Sequence, residues 1–89
     1  MKLKQHSIYK KLILLRNVEN STRYYLLQVF KTLFDNYLLI REYGALKNRK
    51  PTGLIKMYFN TEKECEIELE KILRNKINKG YYMNKEIAL

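Results

Sequence analysis

From Tyr9 to Phe59, apolar and β-branched residues come in short runs separated by turn-forming clusters. Tyr9 to Arg16 and Arg23 to Lys31 are rich in Leu, Ile, Val and aromatic residues. Asn20-Ser21-Thr22 between them predicts a turn, and the two runs an antiparallel hairpin. Phe34-Asp35-Asn36 predicts a second turn, leading into a strand from Tyr37 to about Tyr43. Lys47-Asn48-Arg49-Lys50-Pro51-Thr52-Gly53 has the Pro, Gly, Asn and charge content of a loop, and Leu54 to Phe59 reads as a fourth strand. The period then changes: Cys65, Leu69, Ile72, Leu73 and Lys76 recur at spacings of three and four, the apolar stripe of one helix. Thr61 with Glu64 three residues on forms a capping box. Glutamates fill the first half of this helix, Lys71, Arg74, Lys76 and Lys79 the second, the order that suits a helix dipole. Gly80 is a natural stop. Helix chemistry accounts for the acidic run, which marks no site.

These elements predict an α+β fold: a twisted antiparallel sheet of about four strands with one C-terminal α-helix packed on one face. At 89 residues the chain has room for one domain with a modest core. Residues 8–84 are expected to form it, with tails at 1–7, where His6 falls, and 85–89. One helix covers only one face of the sheet. Matching its stripe to one parity per strand predicts a core of Tyr25, Leu27, Val29, Leu38, Ile40, Ile55, Met57 and Phe59. Alternation then sends Tyr24, Leu26, Gln28, Phe30, Tyr37, Leu39, Arg41, Tyr43, Lys56 and Tyr58 to the other face. So apolar a surface is unusual on a monomer. Leu26, Phe30, Leu39 and Tyr58 are therefore candidates for a protein interface, with a second copy or another partner. Alternatively, Tyr24, Tyr37, Tyr43 and Tyr58 would stack the bases of a single strand, at about 1–3 kcal/mol per base.

Charge sharpens the picture. The net charge is +9, and it is unevenly placed: residues 1–60 hold 12 Lys/Arg against 3 Asp/Glu, residues 61–89 hold 6 against 6. The excess belongs to the strands and their loops, the electrostatic footprint of a polyanion partner. Lys outnumbers Arg 13 to 5 and Asn, Ile and Tyr are abundant, a composition that AT-rich coding alone also produces. Charge by itself therefore leaves a merely solvated basic surface open.

Catalytic chemistry finds little to work with. The chain has one His, His6, and one Cys, Cys65, the latter on the apolar helix stripe, where a small buried hydrophobe is the natural role. A single cysteine excludes an intrachain disulfide and a multi-cysteine metal site. No glycine-rich phosphate loop and no His/Cys/Asp cluster at ligand spacing is present, so no metal and no cofactor are expected. Apolar runs are far shorter than the about 20 residues that span a bilayer, and the basic N-terminus lacks the apolar stretch of a secretory signal. A cytoplasmic protein without membrane contact is expected.

Arg41-Glu42-Tyr43-Gly44-Ala45-Leu46 resembles the Arg-Glu-Trp-Gly-Arg-Ile signature of the WGR domain, a module found beside poly(ADP-ribose) polymerase catalytic domains and as free-standing bacterial proteins. Arg23-Tyr24-Tyr25-Leu26-Leu27-Gln28-Val29 is similar to the family's Lys-aromatic-Tyr-x-Leu-Gln-Leu strand. Phe59-Asn60-Thr61-Glu62-Lys63-Glu64 is similar to its strand-to-helix junction, and Lys76-Ile77-Asn78-Lys79-Gly80-Tyr81 to its closing Lys-x-x-x-Gly-Tyr. The four segments cover roughly residues 20 to 82.

The resemblance implies a clamp on the end of a DNA strand break, its signature aromatic against sugar and base and its basic groups on the terminal phosphate. Carried over by position, Arg41, Tyr43 and Gly44 match. The signature Trp is Tyr43, a smaller ring, and the signature Arg is Ala45, which makes no charged contact; the family glycine that follows is Lys47. Lys47, Arg49 and Lys50 would substitute by charge, since phosphate contacts tolerate variation in position, without reproducing a bidentate arginine fork. Arg23, Lys56, Lys79 and Tyr81 are further candidates. For Tyr43-Gly44 the structural alternative is a strand end closing onto a turn. The expected partner is DNA, by its ends or backbone. Sequence-specific readout is not expected, because the one long helix has an acidic first half.

Overall fold

The four expected strands all form, each somewhat longer than its apolar run, and a fifth joins them. The computed structural model describes residues 6–48 and 50–84, with side chains described from Lys10 onward. Most of the two expected tails, and Arg49, lie outside the described residues. In chain order the elements are β1 (His6–Val18), β2 (Ser21–Thr32), β3 (Tyr37–Ala45), β4 (Gly53–Phe59), α1 (Glu62–Asn78) and β5 (Tyr82–Met83). His6 and Ser7, placed in a tail by sequence, open β1. All pairings are antiparallel, in the order β4-β3-β2-β1-β5.

Turn chemistry sets this register. β1 and β2 join through Glu19 and Asn20 alone, with Val18 opposite Ser21. Glu19 takes a left-handed backbone (φ 53°), so the turn sits earlier than the Asn20-Ser21-Thr22 trio suggests. Between β2 and β3 the Thr32 amide donates to the Asn36 carbonyl (2.9 Å) and the Phe34 amide to the Thr32 hydroxyl (3.1 Å). The Thr32 hydroxyl also bonds the Asn36 side chain.

The helix starts as its sequence predicts: the Thr61 hydroxyl accepts from the Glu64 amide at 3.1 Å. It ends in a two-bond cap, Tyr81 N–H to the Lys76 carbonyl and Gly80 N–H to the Ile77 carbonyl (both 3.0 Å), with Gly80 left-handed at φ 104°. Because α1 leads from β4 at one edge of the sheet to β5 at the other, it must cross every strand between them. Its 17 residues reach roughly 25 Å, enough to cross five strands spaced about 4.8 Å apart. β5 then pairs with Leu14 and Leu15 of β1, and the Asn84 amide donates to the Ile13 carbonyl (3.0 Å). Among the described residues no helix is long and apolar enough to cross a membrane.

Leu14, Tyr25, Leu27, Val29, Tyr37 and Leu39 meet Cys65, Leu69 and Ile72 of the helix in one core, flanked by Leu12, Tyr43, Met57, Phe59, Leu73 and Tyr81. This corrects the parity of β3. Tyr25 stands opposite Tyr43, Leu27 opposite Arg41 and Val29 opposite Leu39, so Tyr37, Leu39, Arg41 and Tyr43 face the helix. Leu38 and Ile40, predicted for the core beneath the helix, face away from it, although Leu38 is buried there at 4% exposure. Leu39 is 0% exposed and leaves the set of interface candidates. The reason is local: Tyr37-Leu38-Leu39-Ile40 is apolar at both parities, so alternation carries no signal there and pairing with β2 decides. Ile55 keeps its predicted side but is exposed, because β4 is an edge strand. On the face away from the helix the Tyr24 hydroxyl donates to Glu42 (2.8 Å). Burial, and then the Glu42 carboxylate, push that phenol above its usual pKa.

Leu39→Ala is expected to lower unfolding free energy by about 2–5 kcal/mol in urea titration. Tyr58→Ala, on the outer face and 61% exposed, is expected to leave stability nearly unchanged.

Candidate nucleic-acid interface

Tyr25 lies near one end of β2, and its neighbours define a charged corner of the molecule. Its ring is buried, 3% exposed, because Tyr43 on β3 stacks on it at 5.4 Å between centroids and 5° between planes. Tyr81 meets it edge-on at 6.0 Å. Register delivers Tyr43, and the helix cap delivers Tyr81: the left-handed turn at Gly80 folds the chain back so that Tyr81 lands beside Lys76. Cations close around the rings. The Lys76 ammonium sits 4.3 Å from the Tyr25 centroid and 5.9 Å from that of Tyr81. Arg41 donates from Nε to the Tyr25 hydroxyl (2.9 Å), its guanidinium carbon 5.7 Å from the ring centre. The Arg16 guanidinium lies 5.9 Å from the Tyr81 centroid.

None of Arg16, Arg41 and Lys76 forms an ion pair with a described residue; the carboxylates Glu66, Asp35 and Glu68 are paired with Lys10, Lys31 and Lys71. Desolvation holds the Lys76 ammonium below the usual lysine pKa, and the nearby positive charges of Lys79 and Arg41 add to the effect. Cations crowded on aromatic faces without a carboxylate can still accept an anion. A shallow groove opens beside them between Arg41 and the helix residues Glu68, Lys71, Ile72, Asn75 and Lys76.

The loop from Leu46 to Thr52 adjoins this corner. It is tied by Leu46 N–H to the Thr22 carbonyl (2.7 Å) and Thr52 N–H to the Tyr43 carbonyl (2.7 Å). Lys47 and Lys50 on it are exposed. Both glycines here answer to close approach. A Cβ on Gly44 would stand 2.9 Å from the Thr52 backbone nitrogen, and one on Gly53 within 2.3–2.8 Å of the Tyr43 ring. Gly44 therefore lets the strand end close onto the loop, and Gly53 leaves room for the ring.

Of the residues expected at a site, Arg41, Tyr43 and Tyr81 converge on Tyr25, and the exposed Lys79 caps the helix nearby. Arg23 stands between Arg16 and Ala45 on neighbouring strands. Lys56 does not join them: it lies on β4 opposite Ile40, on the other face. Tyr43 and Arg41 belong to the helix side, so the tyrosine platform expected on the outer face is reduced to Tyr24 and Tyr58. Sequence reasoning missed Arg16 and Lys76 as site residues. A cation inside an apolar stripe was the signal for Lys76, and parity with Leu14 the one for Arg16. Cys65 is buried and its thiol is pushed up in pKa, first by burial, the opposite of an activated nucleophile. Among the described residues no three His, Cys, Asp or Glu side chains gather as a metal site.

The WGR domain family model matches residues 9–87 of the chain. WGR domains are binding rather than catalytic domains and in general bind nucleic acids. No curated protein and no solved structure matches the chain.

Two outcomes follow from the geometry. Gly44→Ala, whose methyl meets backbone, is expected to cost about 1–3 kcal/mol. Gly53→Ala is expected to cost less but to shift the Tyr43 ring resonances in an NMR spectrum, because only a side chain has to move. For Lys76 the folded pKa is lowered, so between that value and the usual 10.5 the unfolded chain binds more protons and stability climbs with pH. Lys76→Met is expected to raise the thermal midpoint at pH 7 and to remove that part of the alkaline climb.

Proposed function

The chain belongs to the WGR domain family, and from that premise we propose that it is a non-enzymatic DNA-binding module that engages duplex ends or backbone phosphates. The observation that carries this reading is the corner itself: Arg16, Arg41 and Lys76 rest on Tyr25 and Tyr81 without a described carboxylate partner. In this reading these cations and Lys47, Arg49 and Lys50 of the loop hold phosphates, and the outer side of the Tyr43 ring meets sugar or base. Gly44 keeps the loop close enough for both. Lys79 adds charge at the helix end, and Tyr81 orients Arg16 and Lys76.

Contacts to phosphate carry no sequence information, and α1 lies along the sheet as a packing element, not as a helix offered to a groove. Binding is therefore independent of sequence. With Ala45 where the signature has Arg, it is also weaker and less selective for ends than that of relatives with the full signature.

A second reading is a protein contact on the outer face, where Leu26 and Phe30 are half-buried while Leu54 and Tyr58 on β4 are exposed. Light scattering separates the two: a dimer through this face is nearly insensitive to salt and disappears in Leu26→Asp.

Fluorescence anisotropy on a short duplex tests the first reading. Log affinity should fall linearly with log salt between about 50 and 200 mM. Lys47→Gln with Lys50→Gln should flatten the slope by about 0.9 for each phosphate that the loop no longer neutralises. Tyr43→Ala should weaken binding without changing the slope. Absence of binding at the lower salt would sink the DNA reading.

A further inference from the structure

The two margins of the sheet are finished differently. On one side β1 breaks register between Ile8 and Lys10, carries Lys10 and Lys11 in succession, and is covered across Leu14 and Leu15 by β5. A bulge, lysines and a covering segment are ordinary means of closing an edge. On the other side β4 runs from Gly53 to Phe59 without a proline, and its pairing with β3 is regular throughout. None of its residues is buried, and Leu54, Ile55, Lys56 and Tyr58 are exposed. In an antiparallel pair half of the amides and carbonyls of an edge strand point away from its neighbour. Among the described residues no other element bonds to those of β4. Leu54, Lys56 and Tyr58 share the outer face, and Lys56 forms no ion pair with a described residue. The Glu42 carboxylate on that face is engaged by the Tyr24 hydroxyl at 2.8 Å.

We propose that β4 is a docking edge for an extended segment of another protein, of pattern apolar-x-acid-x-apolar, which adds to the sheet as a further strand. The backbone sets the shape of the partner, because a row of open amides and carbonyls is matched by the row on another strand. Side chains set its chemistry. The residue seated opposite Lys56 is acidic, since opposite charges paired across strands stabilise a sheet and like charges destabilise it. Residues two places to either side of the acid lie against Leu54 and Tyr58, whose side chains, 50% and 61% exposed, gain cover. The net charge of +9 also favours the approach of an acidic partner over a basic one. The pattern reads the same in both directions, so it suits a parallel or an antiparallel strand. Lys56 lies on the face away from the charged corner, and the contact is independent of the DNA reading.

The test follows the whole isotope-labelled chain by NMR during titration with the end-capped peptide Thr-Val-Thr-Glu-Thr-Val-Thr. Saturable shifts are expected along Gly53–Phe59 and the facing residues of β3, with slowed hydrogen exchange at the β4 amides that point outward. The same peptide with Lys in place of Glu should bind about fivefold more weakly, the size of one cross-strand charge pair. Lys56→Glu, a change at an exposed residue, should reverse that order. Two N-methylated peptides, each blocked at one set of alternate residues, should differ, one losing binding and the other keeping it. Equal binding of the two blocked forms overturns the proposal. So does a Lys56→Glu chain that keeps the native order of preference. Shifts centred on Lys47 and Lys50 overturn it as well, because the acid is then held by the basic loop. Self-association that broadens the β4 resonances without peptide makes a second copy the occupant and overturns it too. Absence of any shift at millimolar peptide has the same consequence, and none of these results bears on DNA binding.

Discussion

Tyr25 carries two obligations that ordinarily conflict, and the organisation of the charged corner depends on how its ring meets both. The ring belongs to the core, stacked on Tyr43 and packed with the helix, while Lys76 stands 4.3 Å from its centre and its hydroxyl receives Arg41. An aliphatic residue there would leave the cations above a surface that offers them nothing electrostatic. A carboxylate would satisfy them and cancel their field. The quadrupole of an aromatic ring stabilises a cation by an amount on the order of 1 kcal/mol, without neutralising it. That is how a small domain can end its core on positive charge and keep that charge open to a polyanion.

The surrounding backbone is arranged to hold that ring cluster together. Gly53 clears space for Tyr43, Gly44 lets the loop close behind it, and Gly80 folds the helix end so that Tyr81 returns toward the sheet. At Gly44 and Gly53 a side chain would displace a strand end or a tyrosine, while Gly80 is required by its left-handed φ of 104°, so the three act on one site from different parts of the chain. Crossing the sheet from β4 to β5 brings the C-terminal turn of α1 to this corner. The helix is therefore both the lid of the core and the source of Lys76 and Lys79.

The strands and the helix were legible because turn residues and the change from runs to three-and-four spacing are local signals. Thr61, Glu64 and Gly80 marked the helix ends for the same reason. The face of β3 was not legible: four consecutive apolar residues, Tyr37 to Ile40, fit either parity, and only pairing with β2 distinguishes them. β5 was missed because two residues make no pattern; it exists through hydrogen bonds to β1. At the site, Arg41, Tyr43 and Tyr81 were reachable from the family-like motifs, whereas the roles of Arg16 and Lys76 enter through packing. Spacing puts Lys76 on the helix stripe and Arg16 in parity with Leu14, but only the fold shows that Tyr25 and Tyr81 are the rings they meet.

Lys56, set apart from the charged corner, acquires a different meaning from its place in the middle of β4. The outer side of that strand offers unpaired backbone groups flanked by exposed Leu54, Ile55 and Tyr58. These are the ingredients that let a strand of another molecule add on. An ammonium group at the centre of such a margin makes addition of a like strand in the symmetric register bring two positive charges face to face. The lysine thus weighs against closed two-fold pairing of two copies through this border, the pairing that its open backbone invites.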